Sequence, residues 1–342
     1  MTTIKVAAIG GGTGLSTMLR GLKEYVKDIT AIVAVSDDGG GSGVLRQELG
    51  MPPPGDIRNC MVALANVEPI MEKLLTYRFT EGILSGQSFG NLFLAAMTGI
   101  SDRFDQAVSR MGEVLAITGQ VLPVTTADVY LEAIFENGAA VLGESRILAR
   151  KKAEECRIQE VRLIPEHPRA LPGALEAINN ADLIITGPGS LYTSVIPNLL
   201  VDGVSEAIAN AGALKVYVCN VMTQEGETEG YTASDHLRAL LEHSIPGLAD
   251  ICLVNTAPVP GHLRAKYERE RAKPLPVDEE GFAALGVRLV GRPLIGDATT
   301  YARHDPVLLA RALLSLLMEE RGIPGGYGVA ETPAGEDKDA AG

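Results

Sequence analysis

The stretch IKVAAIGGGTG, residues 4–14, decides the fold class of this chain. Its first six residues form a short, nearly continuous apolar run, and the glycines lead into apolar residues at helical spacing from Leu15 to Leu22. This pattern predicts a buried strand, a tight turn and an amphipathic helix. A second apolar run at 29–35 breaks into the glycine-rich segment 36–43, which completes a predicted βαβ unit with parallel strands.

The second half of the chain returns to the same alternation of strands and helices. Helical patterns occupy 171–179, 203–210 and 234–241, and Asp305 followed by Pro306 marks the start of a last helix. Strand-like apolar runs lie at 181–186, 214–220, 251–255 and 287–290. We therefore predict an α/β fold with a doubly wound, mostly parallel Rossmann-like sheet.

Two inserts interrupt this alternation. Residues 55–118 have helical periodicity, which predicts a helical insertion. Residues 120–165 contain short β-like runs, among them 121–126 and 141–148, which predict a small β-rich excursion built of hairpins. We expect one nucleotide-binding domain over 1–322, followed by a disordered acidic and glycine-rich tail at 323–342.

Composition excludes several classes of partner. The 342 residues carry a net charge of −13, so the long-range field repels nucleic acids and anionic membrane surfaces. The chain lacks an apolar run of ~18 residues, and we expect no integral membrane contact. Its four cysteines are widely spaced and fit neither a disulfide framework nor a zinc site, which favours a cytoplasmic location.

The first glycine loop is the strongest candidate for ligand binding. Gly11, Gly12, Thr13 and Gly14 do not have the spacing of a dinucleotide fingerprint or of a Walker A loop. They nevertheless leave backbone N–H groups open to a phosphate at the positive end of the following helix. The alternative is a tight turn that needs glycine only for its backbone conformation.

Further candidate ligand-binding residues lie after the ends of two other predicted strands and in the first turn of a helix. Asp37 and Asp38 suit a ribose hydroxyl or Mg²⁺ held jointly with a diphosphate, with Asp38 as the metal ligand, but they also suit an Asx turn. Arg58 lies in the first turn of a helix, where a cation opposes the helix dipole, and a residue in such an unfavourable place often holds a ligand. Gly189 and Ser190 belong to a second glycine loop.

Asn220 begins a third polar segment, 220–228, after the next strand. The carboxyl ends of parallel strands lie at one edge of a sheet, where open α/β folds bind their ligands. We therefore expect the loops to converge on one nucleotide-diphosphate site.

The ordered motifs at 10–15, 36–43, 55–59, 88–92 and 187–201 resemble the superfamily that contains 2-phospho-L-lactate transferase and the YvcK-type gluconeogenesis factors. The first branch implies transfer of a phospholactyl group from a guanosine dinucleotide to a deazaflavin alcohol. The second implies binding of a UDP-sugar, notably UDP-N-acetylglucosamine, by a factor needed for cell shape and wall synthesis during gluconeogenic growth.

Two features favour the second branch. Residues 220–228 resemble the YvcK pattern, and so do Tyr267 and Arg303, whose counterparts in that branch contact the uridine nucleotide. We thus expect a regulatory UDP-sugar-binding protein, with a transferase-like enzyme as the alternative and Mg²⁺ as the only cofactor to consider. We also expect a homo-oligomer with partners among cell-envelope proteins.

Overall fold

The computed structural model of the protein describes residues 3–154, 156–296 and 300–323. Within them, ten strands form two sheets, one of seven strands and one of three. The strands are β1 (Lys5–Gly10), β2 (Asp28–Val33), β3 (Gln120–Pro123), β4 (Tyr130–Phe135), β5 (Ala140–Leu142), β6 (Ile158–Ile164), β7 (Leu183–Thr186), β8 (Leu214–Val218), β9 (Ile251–Asn255) and β10 (Arg288–Arg292).

The larger sheet has the order β10-β9-β8-β7-β1-β2-β3, and every pair of neighbouring strands is parallel. The interior strand β1 is buried from Val6 onward because helices cover both faces of the sheet. The predicted doubly wound parallel fold is confirmed. Strand order reverses between β1 and β7, so the crevice at their carboxyl ends, next to Gly10 and Thr186, is where this fold binds ligands.

Helices connect the strands and fill the insertion. They are α1 (Gly12–Leu22), α2 (Gly40–Leu49), α3 (Gly55–Leu64), α4 (Pro69–Thr76), α5 (Phe89–Gly99), α6 (Phe104–Val114), α7 (Glu144–Glu154), α8 (Pro172–Asn179), α9 (Ile196–Leu199), α10 (Val204–Asn210), α11 (Ala233–Glu242), α12 (Gly261–Glu268), α13 (Glu279–Ala283) and α14 (Pro306–Glu320). As predicted, Asp305 caps α14, and its carboxylate accepts the N–H groups of Val307 and Leu308. No helix in the described ranges is long and apolar enough to cross a membrane.

The predicted helical stretch at 55–118 is formed by α3 to α6. The β-rich excursion differs from its prediction at two places. The run 121–126 was expected in a hairpin, but β3 pairs in parallel with β2 and forms the edge of the large sheet. The run 141–148 was expected to be extended, but the chain turns at Gly143, with φ of 103°, into α7.

The physical reasons for these differences are plain. A four-residue apolar run does not specify its partner strand, and ESRILARKKAE is rich in residues that favour helices. The remaining small sheet is antiparallel, with β4 between β5 and β6. Division into one domain with inserts stays a prediction, and residues 324–342, which hold nearly all of the predicted tail, lie outside the described ranges.

Helix α1 packs closely against α14, and Gly21 makes this contact possible. A Cβ at Gly21 would lie 1.8 Å from the Pro306 carbonyl oxygen, so any side chain there forces the backbone of one helix to move. Leu15, Met18 and Leu19 on the same helix are fully buried in the main core.

We predict that Gly21→Ala lowers the free energy of unfolding by roughly 1–3 kcal/mol, the usual cost of overpacking, because the added methyl group overlaps Pro306. The control is Gly99→Ala at the end of α5, where nothing lies within 4 Å of the added carbon. Urea unfolding of both variants measures the difference. Equal stability of the two variants would contradict the close packing of α1 against α14.

Candidate functional site

A cavity of about 330 Å³ opens at the carboxyl edge of the large sheet, next to the ends of β1, β7 and β8. Three loops and the segment before α14 enclose it. Its lining consists of Gly12, Thr13, Gly14, Thr17, Pro188, Gly189, Ser190, Asn220, Val221, Met222, Thr223, Gln224, Tyr267, Ala302, Arg303 and His304.

Most of the residues singled out in the sequence meet in this cavity. The eight that line it are Gly12, Thr13, Gly14, Gly189, Ser190, Asn220, Tyr267 and Arg303. Gly11 lies just behind the lining, where a Cβ would be 2.6 Å from the Asp56 carboxylate. Asp37, Asp38 and Arg58 are not part of the lining.

The first glycine loop packs closely against its neighbours and also lines the cavity. Gly12 begins α1 with φ of 67°, a conformation that favours glycine. A Cβ on Gly14 would lie 2.5 Å from the carbonyl oxygen of Pro188, so the two glycine loops touch through their backbones. The first N–H groups of α1 lack partners within the helix, and the cavity borders this end. The loop is therefore a tight, closely packed turn that borders the cavity, and its binding of an anion stays a prediction.

Asn220 joins the second glycine loop to the third loop. Its side-chain oxygen accepts the Gly189 N–H at 3.2 Å, and its Nδ2 donates to the Gly189 carbonyl at 2.8 Å. The Ser190 hydroxyl donates to Gln224 Oε1 at 2.8 Å, again between these loops. These hydrogen bonds fix the position of the second glycine loop relative to the third loop beside the cavity.

Glu227 is the buried anchor of the third loop. Its carboxylate accepts the Tyr192 N–H at 3.1 Å, the Thr193 hydroxyl at 2.7 Å and Gln224 Nε2 at 3.4 Å. Only 1% of the residue is exposed. Burial raises the pKa of Glu227 to about 7 because the ionised form loses its hydration, although the donated hydrogen bonds oppose this rise.

Tyr267 and Arg303 form the far wall of the cavity. Tyr267 is half-buried on α12, where its hydroxyl is hydrogen-bonded to the backbone of Ala302, and burial raises its pKa. Arg303 is exposed and stacks on the Tyr301 ring, with its guanidinium carbon 4.8 Å from the ring centroid. Burial lowers the pKa of His304 to about 4, so this ring is neutral at pH 7.

A group of carboxylates lies behind the first glycine loop. Burial raises the pKa of Asp56 to about 6, while the Gly12 N–H, which donates to this carboxylate, opposes the rise. Burial also raises the pKa of Asp37, and burial together with Asp37 and Asp56 raises that of Glu144. Pro54 is the N-cap of α3, and Asp56 lies in the first turn of that helix.

Asp37 and Asp38 point to different partners. Asp37 Oδ1 accepts the Gly39 N–H at 2.8 Å, which is the Asx turn given as the alternative above. Asp38 Oδ1 accepts the Ser145 N–H at 2.9 Å and so holds the first turn of α7. Among the described residues, no group of three or more His, Cys, Asp or Glu side chains is placed to bind a metal ion. Mg²⁺ at Asp38 stays a prediction.

Arg58 packs under α5, where a Cβ on Gly90 would lie 2.6 Å from its Cδ. Burial lowers the pKa of this guanidinium.

Four residues at or beside the cavity were not predicted from the sequence: Thr17, Gln224, Glu227 and His304. Thr17 stands one helical turn after Thr13, and its hydroxyl donates to the Thr13 carbonyl at 2.8 Å. That i, i+4 spacing was a usable signal. Gln224 and Glu227 lay within the chosen polar segment, but their contacts with Ser190 and Thr193 depend on the fold and have no local signal.

Comparison with known proteins identifies the family to which this chain belongs. The model of the family described as 2-phospho-L-lactate transferase CofD matches residues 6–295. The chain belongs to the CofD family. Within it, the chain is 49% identical over 316 residues to the gluconeogenesis factor of Bacillus subtilis, covering 92% of this chain and 98% of the relative. It is 54% identical to a putative gluconeogenesis factor of Thermoanaerobacterium thermosulfurigenes, covering 92% and 97%.

A crystal structure of a family relative has the same fold. It is a UPF0052 family protein from Bacillus halodurans, with a TM-score of 0.87 and 48% identity, covering 92% of this chain and 99% of that one. The resemblance inferred from the motifs is therefore confirmed, and this CofD-family chain stands in the gluconeogenesis-factor branch.

We predict that stability falls as pH rises from about 4.5, the ordinary pKa of a glutamate, through about 7, the pKa of Glu227 in the folded protein. The folded state holds this proton more tightly than the unfolded state, so ionisation favours unfolding. Glu227→Gln removes this titration and should reduce the slope by at most ~1.4 kcal/mol per pH unit, while Asp56, whose pKa is also raised, keeps its own contribution.

Urea unfolding between about pH 5 and about pH 7 measures the slope. Glu206→Gln, at an exposed glutamate on α10, is the matched control and should keep the original slope. An unchanged slope in Glu227→Gln would show that another group carries the dependence.

Proposed function

We propose that the protein binds a UDP-sugar, with UDP-N-acetylglucosamine as the first candidate, in the cavity at the carboxyl edge of the sheet. The main support is that residues from distant parts of the chain line one cavity of about 330 Å³. They are the loop glycines Gly12, Gly14 and Gly189 and, from the opposite side, Tyr267 and Arg303. This volume lies in the usual range of ligand pockets, roughly 300–1,000 Å³.

The two sides of the cavity suit the two parts of a nucleotide diphosphate. The N-terminus of α1 and the second glycine loop present backbone groups and hydroxyls, which bind phosphate oxygens without a basic surface. This matters in a chain with a net charge of −13. The Tyr267 ring and the Arg303 guanidinium on the other side suit stacking on a base and bonding to its oxygens.

The proposed role is regulatory. The relatives are named gluconeogenesis factors, which supports a role in gluconeogenic growth. In our proposal the protein senses a nucleotide sugar and links this growth to cell shape and wall synthesis. Such a role requires binding, with no need for turnover, and it acts through protein partners of the cell envelope.

A second candidate function is that of a transferase. The family description names 2-phospho-L-lactate transferase, and Asp56, with a pKa of about 6, lies beside the first glycine loop as a potential proton acceptor. In this role the protein transfers a phospholactyl group from a nucleotide-activated donor to a deazaflavin alcohol, with Mg²⁺ at the diphosphate.

We predict that Tyr267→Ala and Arg303→Ala each weaken binding of UDP and UDP-N-acetylglucosamine at least fivefold, because stacking on a base is worth about 1–3 kcal/mol. Calorimetric titration with UDP-N-acetylglucosamine, UDP and GDP measures the losses. Tyr77→Ala and Arg103→Ala on the helical insertion are the matched controls and should bind as the unmodified protein does. Equal losses for UDP and GDP would show that the two side chains do not recognise the base.

We predict that Asp38→Asn leaves the affinity for UDP-N-acetylglucosamine within about tenfold, a change of ~1.4 kcal/mol, because Asp38 holds α7 and does not line the cavity. The same variant tests the transferase. The protein is incubated with Mg²⁺, a guanosine-activated phospholactate and the deazaflavin alcohol, and the phosphorylated flavin is measured. Robust turnover that disappears in Asp38→Asn would favour the enzyme over the binding protein.

A further inference from the structure

A second, smaller cavity adjoins the proposed nucleotide site. It has a volume of about 170 Å³ and lies between the carboxyl end of β9 and helix α12. Asn220 and Val221 line both cavities, so the start of the third loop is the wall between them. We call this smaller space the side cavity. The function proposed above gives it no role.

The walls of the side cavity are mostly apolar. Val221 and Val259 belong to a small hydrophobic cluster that is separate from the main core of the protein. Because apolar walls bind a ligand by removing its apolar surface from water, they favour a ligand with an apolar body. Besides two prolines, the apolar side chains of the lining are Val221, Val254, Ala257, Val259, Leu275 and Val277.

Arg264 is the one charged residue in this lining. It lies on α12 and is exposed, and its guanidinium has no hydrogen-bond or ion-pair partner among the described residues. Other arginines of the chain, such as Arg288 and Arg321, pair with carboxylates. A guanidinium presents its N–H donors as a planar fork that matches a carboxylate. An unpaired guanidinium beside apolar walls therefore indicates an anionic ligand.

The other polar side chains of the lining already have partners. Asn255 Oδ1 accepts the N–H groups of Ala257 and Leu294, and its Nδ2 donates to the Ala257 carbonyl. The Asn220 amide is bonded to Gly189. A phosphate monoester, with a charge of about −1.5 to −2 and three acceptor oxygens, needs more donors than one guanidinium. The side cavity therefore suits an anion with a single charge.

The volume of the side cavity limits the size of this anion. An apolar protein cavity of about 150 Å³ holds one benzene molecule, which has about six non-hydrogen atoms. The side cavity is only slightly larger, at about 170 Å³. A carboxylate that carries a short branched or linear alkyl chain has this size, whereas a nucleotide or a hexose phosphate is too large.

We propose that the side cavity binds a small aliphatic monocarboxylate and that this ligand strengthens binding in the neighbouring nucleotide cavity. The carboxylate pairs with Arg264, and the alkyl chain lies against Val221 and Val259. Binding of the carboxylate does not depend on what the larger cavity binds. The effect on nucleotide affinity rests on the proposed function.

Helix α12 connects the two cavities. It carries Arg264 into the lining of the side cavity and Tyr267 into that of the nucleotide cavity. These residues are three positions apart and therefore neighbours on the helix surface. Leu263 is the only buried residue of α12, and it rests on the small apolar cluster. A carboxylate held by Arg264 ties α12 to the segment after β9, which orders Tyr267 before the nucleotide arrives and so raises nucleotide affinity.

Ligand-observed NMR titration of the full chain with isovalerate tests the carboxylate site. We expect saturable binding that Arg264→Gln weakens at least about tenfold, because a charge-assisted hydrogen bond is lost. Arg269→Gln is the matched control, since Arg269 is an exposed arginine at the end of α12 outside the lining, and it should leave the affinity unchanged. Ala257→Leu, which adds bulk to the wall, should also weaken binding.

Two further probes test the chemical class of the ligand. Isovaleramide, the neutral analogue, and inorganic phosphate should each bind at least about tenfold more weakly than isovalerate. The proposed site would be wrong if isovalerate showed no saturable binding up to about 50 mM, or if Arg264→Gln and Arg269→Gln weakened it equally. Phosphate binding as tight as that of isovalerate would overturn the assignment to a monocarboxylate.

Calorimetric titration with UDP in the presence and absence of saturating isovalerate tests the coupling, with sodium chloride at the same concentration as the reference. We expect isovalerate to tighten UDP binding at least about threefold in the unmodified protein and to have no effect in Arg264→Gln. Unchanged or weaker UDP binding would overturn the coupling while the carboxylate site stands. A protein that binds isovalerate through Arg264 but binds UDP under neither condition would instead contradict the proposed nucleotide function.

Discussion

The site depends on backbone contact between two glycine loops. Gly14 lies against the Pro188 carbonyl, where a Cβ would be 2.5 Å away, and a Cβ on Gly189 would lie 3.1 Å from the Gly11 carbonyl. Asn220 then bonds both backbone groups of Gly189. Because these loops end β1 and β7, their contact fixes the width of the crevice at the point where strand order reverses. Side chains would separate the loops, so glycine is required here for packing before any ligand binds.

The sequence predicted the convergence of the site because that convergence follows from topology. Parallel strands end at the same edge, so polar segments after β1, β7 and β8 had to meet once the sheet was recognised. Gly12, Ser190 and Asn220 were chosen on that ground and do line the cavity. Tyr267 and Arg303 lie far from these motifs along the chain, and only the family resemblance selected them.

Features that depend on contacts between distant segments were not predictable. The edge position of β3 is set by its pairing with β2, ninety residues earlier, and a short apolar run does not encode it. The role of Asp38 in the structure also differs from the one that its position in the sequence indicated. Its place after β2 suggested a ligand contact, but its carboxylate holds Ser145 of the small-sheet insertion. The buried position of Glu227 likewise arises from Thr193 and Tyr192, which no local pattern connects to it.

The N-terminus of α1 already has an internal acceptor. The Gly12 N–H donates to Asp56, so the donors left for a phosphate are those of the residues that follow in the first turn. A bound diphosphate would add negative charge beside a carboxylate whose pKa is already raised to about 6 by burial. The protonated form of Asp56 is therefore the one compatible with a nearby anion. If the cavity binds a diphosphate as proposed, protonation of Asp56 would leave the backbone donors of α1 to act on that anion without a cluster of basic side chains.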